Sequence, residues 1–181
     1  MKVMFKKTRM VKTPFRANAN DAGIDFFLPE MNDQMVKDLI TKNPGEKCLA
    51  SPSNQIKNPF VVIRPGARVL IPTGIHTALY PKHSALIAFN KSGLATKKGI
   101  IVTAQVVDSD YTGEIHVGLL NTSDEYVEFR ENEKIGQFVH VPIYLTDLLE
   151  VSENVYKDLT SKSDRGVDGF GSTDKKEYYG C

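Results

Sequence analysis

The chain has 181 residues, of which 41% are hydrophobic and 25% are charged. This length suits one domain with a continuous core, and the net charge of +1 gives no electrostatic basis for binding nucleic acid or a membrane surface. The sequence offers no apolar window of about 18 residues and its charged start lacks the apolar stretch of a signal peptide. We therefore expect a cytoplasmic protein.

Cysteine and histidine patterns give no indication of a metal centre. The two cysteines, Cys48 and Cys181, and the four histidines are scattered and show none of the short spacings typical of zinc ligands. We expect free thiols in a reducing compartment and no transition metal bound directly by the protein.

In chain order, the first functional candidate is Asp25. A tight turn on Gly23 leads into a strand in which Ile24, Phe26 and Leu28 alternate on one face, so that Asp25 lies on the other. Taken alone, Asp25 is either an exposed strand carboxylate or a functional group.

Residues 29–58 differ from the rest of the chain. The spacing of five apolar residues predicts an amphipathic helix that ends near Asn43: Met31, Met35, Val36, Leu39 and Ile40. A polar stretch follows. We interpret this segment as a helical insertion in a β framework and not as a second domain.

From residue 60 onward, strand signals separated by turn residues recur at short intervals. They cover residues 60–63, 68–71, 75–80, 85–89, 100–107, 114–120, 126–129 and 137–144. Such a series predicts an all-β jelly roll or sandwich. We expect a single domain over residues 1–160 and a flexible polar tail over residues 161–181.

The segment 104–121 carries the leading catalytic candidate. Two apolar runs flank the polar insert Asp108-Ser-Asp-Tyr-Thr-Gly113, which predicts a β-hairpin with Asp108 at its turn, held in place as a general base requires. A calcium loop fails because Leu119 stands where glutamate is needed. A solvated turn is the remaining alternative.

Two further polar segments could bind anions. Lys91-Ser-Gly93 is no P-loop, because Ala85 and Asn90 stand where glycines are required, but a lysine, a hydroxyl and backbone amides can form a small anion site. The tail adds an arginine, an aromatic ring and a Gly-Ser-Thr run, the groups that hold a phosphate and a base: Arg165, Phe170, Gly171, Ser172 and Thr173.

Taken in order, five short segments resemble the five motifs of the trimeric dUTPases. They are Asp21-Ala-Gly-Ile-Asp25, Lys91-Ser-Gly-Leu-Ala95, Val106-Val-Asp-Ser-Asp-Tyr-Thr-Gly113, Glu133-Lys-Ile-Gly-Gln137 and Arg165-Gly-Val-Asp-Gly-Phe-Gly-Ser-Thr173. The resemblance covers nearly the whole chain except residues 29–58. It implies a dUTPase-like distorted jelly roll and hydrolysis of dUTP to dUMP and pyrophosphate.

The resemblance also implies a role for each motif. Asp108 would deprotonate the water that attacks the α-phosphorus, and Asp25 would orient the second motif and a metal-bound water. Tyr111 would pack under the deoxyribose. The phosphates would contact Lys91, Ser92, Gly93 and Gln137. Uracil would contact the backbone of residues 104–107, including Ala104, Gln105 and Val107, and that of residues 115–117. The nucleotide would be covered by five residues of the tail: Arg165, Phe170, Gly171, Ser172 and Thr173.

In this family Mg²⁺ is carried by the triphosphate and contacts the protein mostly through water, and each active site is shared among three chains. The resemblance therefore implies Mg²⁺ dependence without direct protein ligands, and a homotrimer. Three residues depart from the family pattern. Lys91 replaces an arginine, which turns a bidentate phosphate contact into a point charge, and Gln105 replaces a small residue in the base pocket. Gly136 stands where alanine is common, which is a smaller change. The insertion at 29–58 has no counterpart in the minimal pattern, so it either pads the trimer surface or binds a further protein.

Two other functions compete with dUTP hydrolysis. A dCTP deaminase shares the superfamily's fold and phosphate motifs but uses a glutamate instead of the acid of the third motif, so Asp108 with Tyr111 favours hydrolysis. A regulatory protein that binds nucleotide without turnover is the second alternative, and the intact third and fifth motifs argue against it.

Overall fold

The computed structural model describes residues 1–45, 47–51, 59–163 and 166–167. The chain divides into two units, Met1–Tyr144 and Leu145–Cys181, and the expected boundary after residue 160 stays a prediction. None of the helices in the described part has the length and apolar content needed to cross a bilayer.

In the described residues, the first unit contains eleven strands and two helices, and the second contains one helix. The strands are β1 (Lys2–Lys7), β2 (Ile24–Phe27), β3 (Cys48–Ser51), β4 (Phe60–Ile63), β5 (Arg68–Tyr80), β6 (Ser84–Phe89), β7 (Ile100–Val102), β8 (Val106–Asp108), β9 (Glu114–Asn121), β10 (Val127–Arg130) and β11 (Lys134–Pro142). The helices are α1 (Asp33–Lys42), α2 (Ser92–Lys98) and α3 (Glu153–Thr160).

The strands form three antiparallel sheets, in the orders β1-β5-β9-β7, β10-β4-β3 and β2-β11-β6-β8. Strand residues that alternate along one face are buried, as Ile115, Val117 and Leu119 of β9 show. One hydrophobic cluster gathers such faces from all three sheets. The predicted all-β class is confirmed.

Two helices, α2 and α3, and two edge strands, β1 and β3, were not predicted. Helix α2 buries none of its residues, so it lacks the apolar stripe that reveals a helix in a sequence; it ends at Gly99, whose φ is 65°. Helix α3 is likewise exposed. Strand β1 pairs with β5 at a sheet edge, where its lysines reach solvent.

The segment 68–80 is one strand and not two. The turn expected at Thr73 and Gly74 is a shift of register between Pro72 and His76, within a strand that pairs with β9 on both sides of it. Gly74 absorbs the shift with a φ of 71°, a conformation that costs glycine little.

The predicted hairpin over residues 104–121 is wrong. Strand β8 pairs with β6, whereas β9 pairs with β5 and β7, so β8 and β9 belong to different sheets. Residues 109–113 cross between the sheets instead of closing a tight turn. The strand periodicity was visible in the sequence, but pairing partners are set by long-range packing.

The insertion contributes to the same core as the strands. Helix α1 confirms the predicted helix; the side chain of Asn32 caps it by accepting from the N–H of Met35 at 3.0 Å. Met31, Met35 and Leu39 are completely buried in the main hydrophobic cluster. The helix is therefore an integral layer of the first unit.

Truncation of the buried face of α1 tests this packing. We expect Leu39→Ala to lower the free energy of unfolding by about 2–5 kcal/mol, because it leaves a cavity in a fully buried site. The neighbouring Ile40 is 58% exposed, so Ile40→Ala should change stability by less than about 1 kcal/mol. Urea unfolding measures both, and equal small losses would contradict a core role for α1.

Candidate active site

Three of the predicted motifs meet in one groove of about 660 Å³. Strand β11 lies between β2 and β6, and its Gln137 is opposite Asp25 on one side and Phe89 on the other. Lys91 follows two residues after Phe89 and also lines the groove. Strand pairing thus brings the first, second and fourth motifs together.

Asp25 is the buried anion of this groove. It is only 4% exposed, its Oδ1 lies 2.5 Å from the Nζ of Lys91, and its Oδ2 lies 2.6 Å from the Nζ of Lys134. Burial alone would raise the pKa of Asp25, but the hydrogen bonds and charges of Lys134 and Lys91 outweigh burial and place that pKa below its usual value. The interpretation of Asp25 as an exposed carboxylate is wrong.

The carboxamide of Gln137 is fixed by two neighbours. Its Nε2 donates to the carbonyl of Asn90 at 2.8 Å, and the side chain of Asn90 accepts from the N–H of Val102 at 2.7 Å. On the other side, a Cβ on Gly23 would lie 2.5 Å from the Oε1 of Gln137. A side chain at position 23 would therefore displace the end of the Gln137 side chain from its present place.

Residues 92 and 93 begin helix α2 directly after Lys91. Both Ser92 and Gly93 are exposed, next to the groove that Lys91 lines. The sequence singled out these residues but gave Asn90 and Lys134 no role of their own; each lies inside or beside a predicted motif, which was the available signal.

The third motif forms a second, smaller pocket of about 290 Å³. Four of the predicted residues line it: Ala104, Val107, Asp108 and Tyr111. Gln105 is exposed, is absent from this lining, and its carbonyl accepts a hydrogen bond from the N–H of Ala88 at 2.7 Å. Gln105, which replaces a small residue of the family pattern, therefore does not narrow this pocket.

Asp108 and Tyr111 are held differently. Asp108 is an exposed carboxylate at the end of β8, while the hydroxyl of Tyr111 donates to the carbonyl of Glu114 at 3.0 Å. That carbonyl also lies 2.8 Å from the Nδ1 of His116, which lines the pocket. Burial lowers the pKa of His116, which favours the neutral ring. The sequence gave no role to Glu114 or to the side chain of His116, because no spacing to other polar residues marks them.

The groove and the pocket lie apart within one chain. Asp108 is opposite Ala85 on β6, whereas Gln137 is opposite Phe89 on the same strand. Four residues of strand correspond to roughly 13 Å, and β8 and β11 flank β6 on opposite sides, which adds about 10 Å across the sheet. A single chain therefore does not bring Asp108 beside Gln137.

The predicted tail residues Arg165, Phe170, Gly171, Ser172 and Thr173 lie outside the described residues, and their roles stay predictions. Within the described ranges, no three His, Cys, Asp or Glu side chains are grouped so that they could hold a metal ion. The side chains that line the groove include Lys91, Lys134, Gln137, Asp21 and Asp25, and both lysines engage Asp25.

Comparison with known proteins identifies the family to which the chain belongs. The sequence model of the dUTPase family matches residues 56–174. A deoxyuridine 5'-triphosphate nucleotidohydrolase of Hydrogenobaculum sp. is 35% identical over 179 residues, which covers 97% of this chain and all of that protein. The chain belongs to the dUTPase family. It is a hydrolase that acts on dUTP.

Solved structures agree on the fold. A dUTPase mutant of Staphylococcus bacteriophage 80alpha, solved with dUpNHpp, superposes with a TM-score of 0.69 at 20% identity and covers 95% of this chain and 98% of its own. A mutant dUTPase of phage phi11 of S. aureus, described with a structural Mg(II) ion, gives 0.61 at 18% identity and covers 84% and 98%. The dUTPase-like jelly roll is thereby confirmed.

Replacement of Asp25 by asparagine tests the ion pairs of the groove. The folded pKa of Asp25 lies below the unfolded value of about 3.9, so its carboxylate stabilises the fold above that pH and loses the effect as pH falls through the folded pKa. We expect Asp25→Asn to lower the free energy of unfolding at pH 7 by about 1–3 kcal/mol.

Urea unfolding at pH 7, 5 and 3 measures this effect. The difference between the wild type and Asp25→Asn should shrink toward pH 3, whereas Asp124→Asn, at an exposed position, should follow the wild type throughout. A difference that stays constant down to pH 3 would contradict the assignment.

Proposed function

We propose that this dUTPase hydrolyses dUTP to dUMP and pyrophosphate by attack of water on the α-phosphorus, with Asp108 as the general base. One observation carries the proposal: Asp108 is an exposed carboxylate at the rim of a pocket that Tyr111 also lines. A base there can reach a water beside a nucleotide whose sugar rests on the aromatic ring.

The pocket suits a deoxynucleoside. Tyr111 offers a ring face to the deoxyribose, where a 2′-hydroxyl would collide, and its hydroxyl is fixed on Glu114. The backbone of residues 104–107 and 115–117 would supply donors and acceptors for uracil, with Ala104, Gln105 and Val107 on one side. Their exposure at positions 104–106 supports access for a base.

The groove suits the triphosphate. Lys91 is held by Asp25 at 2.5 Å, so its ammonium is positioned before substrate arrives, which reduces the entropic cost of binding. Ser92 and Gly93 follow it with exposed polar atoms, and Gln137 presents a fixed carboxamide. We assign phosphate contacts to these four residues and an orienting role to Asp25.

Mg²⁺ would enter with the triphosphate. Lysines engage both oxygens of Asp25, and no three His, Cys, Asp or Glu side chains of the described residues are grouped so that they could hold a metal ion. These donors fit an ion that phosphate oxygens hold and that Asp25 contacts through water. When bound, the ion would neutralise phosphate charge and stabilise the leaving pyrophosphate.

We further propose that the complete site forms between copies of the chain in a homotrimer. The separation of roughly 13 Å along β6 and about 10 Å across the sheet supports this, because Asp108 and Gln137 must act on the same triphosphate. The third motif of one copy would face the phosphate motifs of a neighbour. The tail of a third copy would close the site, with Phe170 over uracil and Arg165, Gly171, Ser172 and Thr173 at the γ-phosphate.

A nucleotide panel tests the reaction directly. Purified protein with Mg²⁺ is given dUTP, dCTP, dTTP or UTP, and pyrophosphate and ammonia are measured. We expect pyrophosphate from dUTP well above the other three and no ammonia. Ammonia from dCTP would favour deamination, and tight dUTP binding without pyrophosphate would favour a regulatory protein.

Loss of the base should separate binding from chemistry. Asp108→Asn keeps the shape of the side chain but removes its basicity, so we expect turnover of dUTP to fall at least about 100-fold while the affinity for dUpNHpp changes little. Asp124→Asn, at an exposed acid that does not line the pocket, is the matched control and should keep full turnover. Near-normal turnover of Asp108→Asn would place the base elsewhere.

Removal of the tail, residues 165–181, should impair catalysis without dissociating the oligomer. We expect deletion of residues 165–181 to lower kcat/KM for dUTP at least about tenfold, since the closing segment would exclude bulk water from the site. Deletion of residues 175–181 alone keeps the fifth motif and should retain activity. An unchanged kcat/KM after the longer deletion, with light scattering showing intact oligomers, would remove the tail from the mechanism.

A further inference from the structure

Glu114 connects the pocket of the third motif to the body of the fold. Its carbonyl receives two pocket-lining side chains, the hydroxyl of Tyr111 at 3.0 Å and the Nδ1 of His116 at 2.8 Å. Its side chain, which carries the carboxylate, is only 15% exposed. A displacement of Glu114 would therefore disturb the side chains of Tyr111 and His116 together.

The carboxylate of Glu114 is held from two directions. Arg9 donates from Nε to Oε1 at 2.7 Å and from Nη2 to Oε2 at 3.0 Å, a bidentate pair. The N–H of Gly74 donates to the same Oε1 at 2.6 Å. Burial would raise the pKa of Glu114, but Arg9 and Gly74 outweigh burial and lower it, so the carboxylate stays charged and paired at neutral pH.

The same arginine reaches the insertion. Nη2 of Arg9 also donates to the Oδ2 of Asp38 on α1 at 2.6 Å, and Gln34, one turn earlier, donates to the other oxygen of Asp38 at 2.8 Å. Because another face of α1 is locked in the core through Met35 and Leu39, Asp38 is a rigid anchor. It fixes the guanidinium that in turn fixes Glu114.

A second contact from the insertion supports another part of the same pocket. Asn43, at the end of α1, is 4% exposed; its Nδ2 donates to the carbonyl of Leu70 at 2.9 Å and its Oδ1 accepts from the N–H of Leu70 at 2.7 Å. Leu70 lines the pocket. The middle and the end of α1 thus support two different walls of one site.

We propose that the insertion positions the sugar-binding wall of the active site through the chain Asp38, Arg9 and Glu114, and that Glu114 is a specificity-positioning residue for deoxyribose against ribose. This inference rests on the proposed function, which places Tyr111 under the sugar. A ring held tightly under the sugar excludes a 2′-hydroxyl, whereas a ring that can shift accommodates it. The insertion would then serve substrate selection, beyond surface padding or binding a further protein.

The test is the ratio of kcat/KM for dUTP to kcat/KM for UTP. We expect Glu114→Gln to lower this ratio by about three- to thirtyfold, and Asp38→Asn to lower it at least about twofold, the range typical of residues that act through a neighbour. Glu30→Gln removes an exposed carboxylate just before α1 and should leave the ratio unchanged. A purely structural role would reduce the unfolding midpoint or total activity without changing the ratio.

Tyr111→Ala separates failure of this inference from failure of the proposed function. We expect it to lower the ratio more than Glu114→Gln does, and Asp38→Asn should add nothing in its background. A ratio that Tyr111→Ala leaves unchanged overturns both the sugar contact and the inference. A ratio that falls in Tyr111→Ala but stays at the wild-type value in Glu114→Gln and Asp38→Asn overturns the inference alone.

Discussion

Strand β6 imposes the constraint on which the site depends. It pairs with β8 at the end near Ala85 and with β11 up to Phe89, and strands cannot be compressed along their length. The carboxylate of the third motif and the carboxamide of the fourth are therefore held apart by the sheet itself. This separation is the basis for the proposed assembly, in which one copy would supply the base and another the phosphate contacts.

Within the described residues, Asp25 and the partly buried Glu114 are acids that are each shared between cations or donors. Asp25 holds Lys91 and Lys134 in the groove, and Glu114 is held by Arg9 and Gly74 beside the pocket. Removing one partner from such a group leaves the other charges desolvated, which costs more than the pair itself contributes. These clusters fix side chains at the two ends of the site instead of adding much net stability.

Local patterns in the sequence predicted the parts of the fold that depend on local physics. The spacing of Met31, Met35 and Leu39 predicted α1, and the alternation around Asp25 placed that residue on the face opposite Phe26. Which strands pair with each other was not predictable. The residues of β8 and β9 have strand periodicity, but no local feature of the sequence indicates that the two strands belong to different sheets. Likewise Arg9 and Glu114 are 105 residues apart, so their contact exists only in the folded chain. The resemblance to the family motifs predicted roles for Asp108 and Tyr111, but it did not predict the residues that position them.

The most direct test of a site formed between copies is a subunit-mixing experiment with two variants, Asp108→Asn and Gln137→Ala, each of which we expect to be nearly inactive alone. The two are unfolded together in equal amounts and refolded. If neighbouring chains supply the two halves, random assembly places an intact Asp108 beside an intact Gln137 in about one site in four, so roughly a quarter of wild-type turnover of dUTP should return. A mixture as inactive as its components would contradict the account, because each site would then lie within one chain.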